Sequence, residues 1–264
     1  MLLRFEKMLS TDNPKAAKAS GYGYLNAINY MAPHTSGGVG NLCSHASEAC
    51  IDLCLGEHSG QAAMSATVRD SRARKAQYFM RERAAFMTEF VYHIAKAQKQ
   101  ATGSGLKLCI RPNGSTDIRF EGVAFEASPV LAAKVSKLIG RPFEARKYKN
   151  IFEAFPDVQF VDYTKNPKRL DKTLPPNYHL TFSRSEKNEA DARIALKKGF
   201  NVATVFSAGL PETYLSAIVL DGDKHDLRHL DAKGGFIVGL TPKGHRAKRD
   251  RSGFVVLNYH ANNS

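Results

Sequence analysis

The sequence predicts an α/β protein arranged as a partial (β/α)6 barrel on a mainly parallel sheet, and three observations predict it. Short apolar strands alternate with helical stretches, an order that needs crossover connections and so favours parallel neighbours. The count is six strands, too few to close a full barrel. The strands also run, at their C-terminal ends, into polar or small residues, as in barrels that gather their chemistry on that face. With 264 residues the chain can bury one substantial core. One domain over 1–264 is expected, with a polar N-terminal segment at 1–20, the partial barrel at 21–264 and a cysteine loop at 41–58.

The elements follow in order. Tyr22 to Tyr30 alternates in the manner of a strand, and Pro33 to Gly40 is a Gly/Ser-rich loop leading to the cysteines. From Ser71 to Gln100 the apolar positions Phe79, Phe86, Phe90 and Ile94 recur at helical spacing, and Gly103 and Gly105 end the run. Leu106 to Arg111 is the second strand, and a helix is expected over Pro129 to Leu138. Ile151 to Phe155 closes another helix, and the strands Val158–Tyr163 and Tyr178–Ser183 come next. Glu189 to Lys198 reads as a helix stopped by Gly199. Asn201–Phe206 and Gly235–Leu240 complete the six.

Composition is that of an ordinary globular protein, with 43% hydrophobic and 24% charged residues. No apolar run reaches the roughly 18 to 20 residues that a membrane helix needs. The start, Met1-Leu2-Leu3-Arg4-Phe5-Glu6-Lys7, has no long apolar stretch or cleavage site, so no secretion signal is read there and a cytoplasmic location is expected. A net charge of +13 favours phosphate-bearing partners such as nucleic acids or nucleotides, or describes only a solvated basic surface. The densest basic run is Lys243 to Arg251.

Three of the four cysteines stand as Cys43, Cys50 and Cys54, a C-x6-C-x3-C spacing. Disulfides are rare in a reducing compartment, so clustered thiols there point to a metal or redox site. Two centres fit three thiolates. One is an iron–sulfur cluster with an iron left open; the other is a structural zinc completed by His58, four positions after Cys54, with His45 also nearby. Cys109 falls within a strand, where a thiol is more often a small buried hydrophobe. The acidic run at Asp221, Asp223 and Asp226 could meet a divalent cation, but its spacing is not that of a calcium loop and a salt-bridged turn accounts for it.

With the C-x6-C-x3-C loop stand Arg111-Pro112-Asn113-Gly114-Ser115-Thr116-Asp117-Ile118, Phe160 to Lys165, Asn177 to Glu186, and the stretch from Asp221 through Gly239-Leu240 to Lys243-Gly244. Through these segments the chain resembles the phage-encoded gene product 88 family, and more distantly the radical S-adenosylmethionine proteins. The resemblance implies that Cys43, Cys50 and Cys54 hold a [4Fe–4S] cluster. It implies that S-adenosylmethionine completes the fourth iron and is cleaved reductively to a radical that takes hydrogen from a substrate. Asn113 and Asp117 would then grip the coenzyme's ribose or methionine end, although an Asn-Gly turn with an Asp cap explains both. Ser183, Arg184 and Glu186 would hold its carboxylate or ribose, or else belong to a helix cap. Lys243, His245 and Arg246 would face an anionic substrate, such as a nucleotide, nucleic acid or peptide, or else form a solvated basic loop. The chain departs from the usual radical enzyme pattern: its cysteine spacing is longer than C-x3-C-x2-C, Leu53 replaces an aromatic residue, and no Gly-Gly-Glu ends the second strand. The alternative remains a zinc-stabilised, basic nucleic-acid-binding protein without catalysis. No nucleophile elbow, phosphate loop or His-Glu-x-x-His zinc motif is present.

Overall fold

A computed structural model describes residues 3–11 and 14–257. Ahead of the first expected strand the chain forms β1 (Leu9–Ser10) and α1 (Pro14–Ser20), and then β2 (Tyr24–Asn29). The cysteine loop carries one short helix, α2 (Glu48–Asp52), and α3 (Gly60–Met64) follows it. The helical run expected over 71–100 is two helices, α4 (Ala66–Arg81) and α5 (Arg83–Gly103), because Glu82 leaves helical backbone at φ −134° and ψ 51°. Ser65 caps α4 by accepting from Val68 N. Then come β3 (Lys107–Arg111), a small antiparallel pair of β4 (Phe125–Glu126) and β5 (Lys147–Tyr148) with α6 (Pro129–Ile139) between, and α7 (Ile151–Ala154). The C-terminal half adds β6 (Gln159–Thr164), β7 (Tyr178–Ser183), α8 (Glu189–Lys197), β8 (Val202–Phe206), β9 (Thr213–Tyr214), β10 (Ala217–Asp221), β11 (Ile237–Leu240), α9 (Gly244–Lys248) and β12 (Val255–Val256).

The six expected strands are β2, β3, β6, β7, β8 and β11, and they lie side by side in chain order, all parallel. The apolar runs therefore pair as the crossover argument requires. The sheet continues past them: β1 pairs antiparallel with β2 at one edge, while β10 pairs parallel with β11 and antiparallel with β9 at the other. Its path runs from β1 to β9 without returning on itself, so the architecture is an open, mostly parallel sheet and no closed barrel is seen. Short antiparallel strands finish both edges, a common way to protect them.

β12 pairs with β8 at Val205 and Phe206, while β7 pairs with β8 at Val202 and Ala203. The other edge of β8 is taken by β11 from Val202 to Val205. A strand has two edges, so β12 shares the β7 side and parts the two strands at their C-terminal ends. This places the preceding loop, with Phe254, at the mouth of the sheet.

Helices cover the sheet. Phe79, Phe86, Phe90 and Ile94, the positions that mark the helical repeat, are all buried in one large core beneath α4 and α5. Phe5, Met8 and Leu9, from the segment expected to be polar, join the same core. Buried Glu89 of α5 makes this possible by accepting from the backbone N–H groups of Arg4 at 3.0 Å and Phe5 at 2.7 Å. Ala192 and Ala195 of α8 pack with Phe182, Val202 and Ile237 in a second core.

Candidate functional site

Loops at the C-terminal ends of the parallel strands enclose a cavity of about 230 Å³. Cys43, Cys50 and Cys54 stand on one wall, reached from β2. Ser115, Thr116 and Asp117 follow β3, Tyr163 to Lys165 end β6, Ser183 and Arg184 end β7, and Ala203 and Val205 come from β8. Leu240, Thr241 and Lys243 close the ring from β11. Each of the six strands thus delivers side chains to one space, in keeping with the polar loops read from the sequence.

The cysteine loop is built into this wall by short contacts. Cys43 Sγ points at Ser115 O, 3.6 Å away, so the first thiol meets the loop after β3. Cys54 Sγ lies close to Gly56, where an added Cβ would stand 3.4 Å from the sulfur and 2.7 Å from Ser115 Cβ. Gly56 is needed there for close approach, not for a special φ. Ser47 caps α2 by accepting from Cys50 N at 3.2 Å. Burial pushes the Cys43 thiol up to about 12 and the Cys54 thiol up to about 11, so neither sulfur ionises readily without a positive centre bonded to it. Cys109 lies on β3 and is fully buried, outside this wall. His58 is not part of the cavity wall, and His45 is exposed. Among the described residues no three His, Cys, Asp or Glu side chains are grouped to hold a single metal ion.

Of the residues that the resemblance links to the coenzyme, Glu186 serves the cysteine loop instead. Its carboxylate accepts from the Ser47 hydroxyl at 2.8 Å and from Ala49 N at 3.4 Å. Two further ion pairs hold α2 from outside: Arg246 with Asp52 at 2.8 Å and Lys187 with Glu48 at 3.3 Å. Arg246 is therefore engaged with the cysteine helix and does not line the cavity. Its neighbour His245 is exposed and lies outside the cavity wall.

Asn113 is an organiser of the loop after β3. Its Nδ2 donates to Asp162 Oδ2 at 2.7 Å and to Ile118 O at 2.9 Å, while its Oδ1 accepts from Thr116 Oγ1 and Ile118 N at 2.8 Å each. Both amide ends are thereby occupied, and the side chain does not line the cavity. Asp117 does line it, but its carboxylate accepts from Thr164 Oγ1, Lys165 N and Arg169 Nη1 at 2.8 to 3.0 Å. Buried Arg169 also forks onto Glu121 at 2.9 Å and donates to Tyr178 Oη at 2.6 Å. Burial pulls this guanidinium down, but Tyr178, Glu121, Asp117 and Asp162 outweigh it and hold the group above its ordinary value. Asp162, fully buried, is pushed up to about 7 by desolvation against the opposing pull of Arg169 and Asn113. This network fixes the ends of β3 and β6 under the cavity.

Ser183 accepts from Lys165 Nζ at 2.7 Å, and Arg184 donates to the carbonyls of Gly253 and Phe254, pinning the segment before β12. Lys243 pairs with Asp223 at 2.9 Å, and Asp223 also accepts from Thr241 N and Oγ1. Of the acidic run, Asp223 is thus salt-bridged, with Lys243 as its cation. The cavity brings in Asp226 of the acidic run, and Arg111, Lys165 and His34, to which the sequence assigned no site role. Arg111 and Lys165 stand at the ends of predicted strands, and that was the signal for them. His34 pairs with Glu57 at 2.7 Å, a contact between two loops that no spacing reveals.

A family model described as gene product 88 matches residues 1–258. No curated protein matches the chain, and no solved structure does. Among the described residues no helix is long and apolar enough to cross a membrane.

Proposed function

This chain belongs to the phage gene product 88 family, and from that premise we propose that it is an iron–sulfur protein of the radical S-adenosylmethionine type. The observation that carries the reading is one cavity lined both by the three thiols of the C-x6-C-x3-C loop and by the ends of six consecutive parallel strands. Strands in that order, with their C-terminal ends around one space, are what a partial (β/α)6 barrel presents.

The donor set fits the group. Cys43, Cys50 and Cys54 would hold the cluster, since the three thiols share a wall and burial disfavours a free thiolate at Cys43 and Cys54. A single zinc draws its donors to about 2.0 to 2.3 Å and needs four of them close together. The thiolates of an iron–sulfur cluster instead bond different irons and stand farther apart. His58, the fourth ligand that the zinc alternative needs, does not line the cavity with the three thiols, and this favours the cluster over zinc.

When bound, such a cluster supplies an electron for reductive cleavage of S-adenosylmethionine. The chain's own part is to bind, orient and exclude water. Phe254 and the β12 segment narrow the mouth, pinned there by Arg184. Asp117, committed to Arg169, Thr164 and Lys165, holds the loops of β3 and β6 in register. A nucleotide, nucleic acid or peptide substrate and a cytoplasmic site of action belong to the same reading.

Anaerobic purification with iron, sulfide and zinc analysis tests it. The expected result is a brown protein with several irons and matching sulfide per chain, which cleaves S-adenosylmethionine once reduced. A colourless protein carrying one zinc would overturn it.

A further inference from the structure

Resting on that reading for its setting but not for its test, we propose that Lys165 and Ser183, flanked by Arg111, form a subsite for an anionic group, a phosphate or carboxylate, of the ligand that enters the cavity. The cavity wall holds four cations, Arg111, Lys165, Arg184 and Lys243. Two are spent: Lys243 on Asp223, and Arg184 on the carbonyls of Gly253 and Phe254. The other two have no carboxylate within ion-pair distance among the described residues. Lys165 Nζ donates to the Ser183 hydroxyl at 2.7 Å and faces the Phe254 ring, 5.4 Å from its centroid. Arg111 lies over the Tyr163 ring at 4.6 Å and donates through Nε to Asn113 O at 3.1 Å.

The wall acids do not cancel these charges directly. Asp117 is matched by Arg169 and Asp223 by Lys243, while Asp226 has interactions of its own. A half-buried ammonium next to a neutral hydroxyl has lost part of its hydration without gaining a counter-ion, and an incoming anion restores the balance. Donor geometry agrees. Lys carries three N–H donors, and Ser183, which accepts from Lys165, keeps its own O–H to give. One anion can therefore take an N–H from Lys165 and the O–H from Ser183. The two sit on neighbouring parallel strands, just past the Thr164 and Phe182 pair. The cations first expected to meet an anionic substrate, Lys243 and Arg246, are instead bound to Asp223 and Asp52.

The test measures thermal stabilisation of the purified full chain by inorganic phosphate, and separately by S-adenosylmethionine, at constant ionic strength, since a ligand of the folded state raises Tm. Losing a charged hydrogen bond should weaken anion binding about tenfold or more, so Lys165→Met should shift the phosphate titration by that factor and Lys165→Arg should recover most of it. Ser183→Ala, which removes only the O–H, should show a smaller loss and serves if Lys165→Met fails to fold. Loss of the phosphate response alone assigns the subsite to a substrate anion, and loss of both responses extends it to the coenzyme's carboxylate. Wild-type responses to both probes in folded Lys165→Met, Ser183→Ala and Arg111→Gln would overturn the proposal. Because no iron or turnover enters the measurement, a protein without a cluster would sink the proposed function and leave this result standing.

Discussion

The Glu186 carboxylate, just beyond β7, accepts the Ser47 hydroxyl at 2.8 Å, so the cap of the cysteine helix is itself held by the fourth parallel strand's loop. Ser47 in turn accepts from Cys50 N, which makes a chain of two hydrogen bonds from the sheet to a thiol-bearing residue. Removing the carboxylate should loosen α2 without disturbing the core. If the thiols hold the proposed cluster, Glu186→Ala is expected to fold and to lose iron to a chelator about ten times faster than wild type, the equivalent of about 1.4 kcal/mol. Arg246→Ala, at an exposed ion pair, should change the rate little. Bleaching of the visible absorption under anaerobic chelation reads both.

The thiols divide three to one. On the proposed iron–sulfur reading, Cys43→Ser, Cys50→Ser and Cys54→Ser should each yield protein with most of its iron and sulfide lost, because each removes a thiol from the same wall. Cys109→Ser should keep wild-type iron, since that thiol is fully buried in β3 away from the cavity wall. Metal analysis of the four variants, prepared side by side without oxygen, gives the answer.

Sequence pattern reached the six central strands because each is an apolar run of parallel-sheet length; Tyr178–Ser183 matches to the residue. It missed β10, whose half-exposed Ala217 to Leu220 lacks a clean period, and β12, only two residues long. It also read through Glu82, because no Gly or Pro marks the break between α4 and α5. At the site, the cysteines were legible from spacing alone. The roles of Glu186, Arg246 and Asn113 were not, since a polar residue after a strand looks the same whether it meets a ligand or ties two loops together. Only the partners, Ser47, Asp52 and Asp162, tell these apart.

Arg169 should be the costliest polar residue to lose. Its guanidinium is buried and binds Asp117, Glu121 and Tyr178 together. Arg169→Met strands two carboxylates with little water, and breaking such a pair costs about 3 to 5 kcal/mol. Arg169→Lys should recover only part of that, because one ammonium cannot reproduce the fork to Glu121 while reaching Asp117. Urea denaturation followed by circular dichroism measures both.

In mild acid two buried histidines lower stability, against an opposing gain from Asp162 and Asp231, whose carboxyls burial holds up at about 7 and about 6. Burial holds His179 and His229 down at about 4, with Lys233 and Arg228 adding to the effect on His179, and His179 on His229. An unfolded histidine titrates near 6.5, so between about pH 6.5 and 4 the unfolded chain binds protons that the folded one refuses. Each histidine's contribution is complete above pH 6.5 and is lost as pH drops through that window. Melting curves at stepped pH, wild type beside His229→Phe, isolate the histidine's share: relative to wild type, the variant should gain stability as pH drops from about 6.5 to 4. An unchanged slope in the variant would remove His229 from the account.

Gly114 ties stability to the site in a single atom. A Cβ there would stand 2.7 Å from Asn29 O, from Ile28 Cγ2 and from Tyr30 Cδ1, so the loop after β3 lies directly on the end of β2. One of those neighbours is backbone and cannot rotate aside. Gly114→Ala should therefore push the loop outward at a cost of about 1 to 3 kcal/mol, as overpacking generally does. The next residue is Ser115, whose carbonyl faces Cys43 Sγ, so the same displacement should reach the thiol wall. The expected pair of results is a lowered Tm and reduced iron retention. Gly122→Ala is the control, because nothing stands within 4 Å of its Cβ position, and it should alter neither. If Gly114→Ala lowers Tm but keeps wild-type iron, the loop after β3 supports the fold without shaping the cysteine wall.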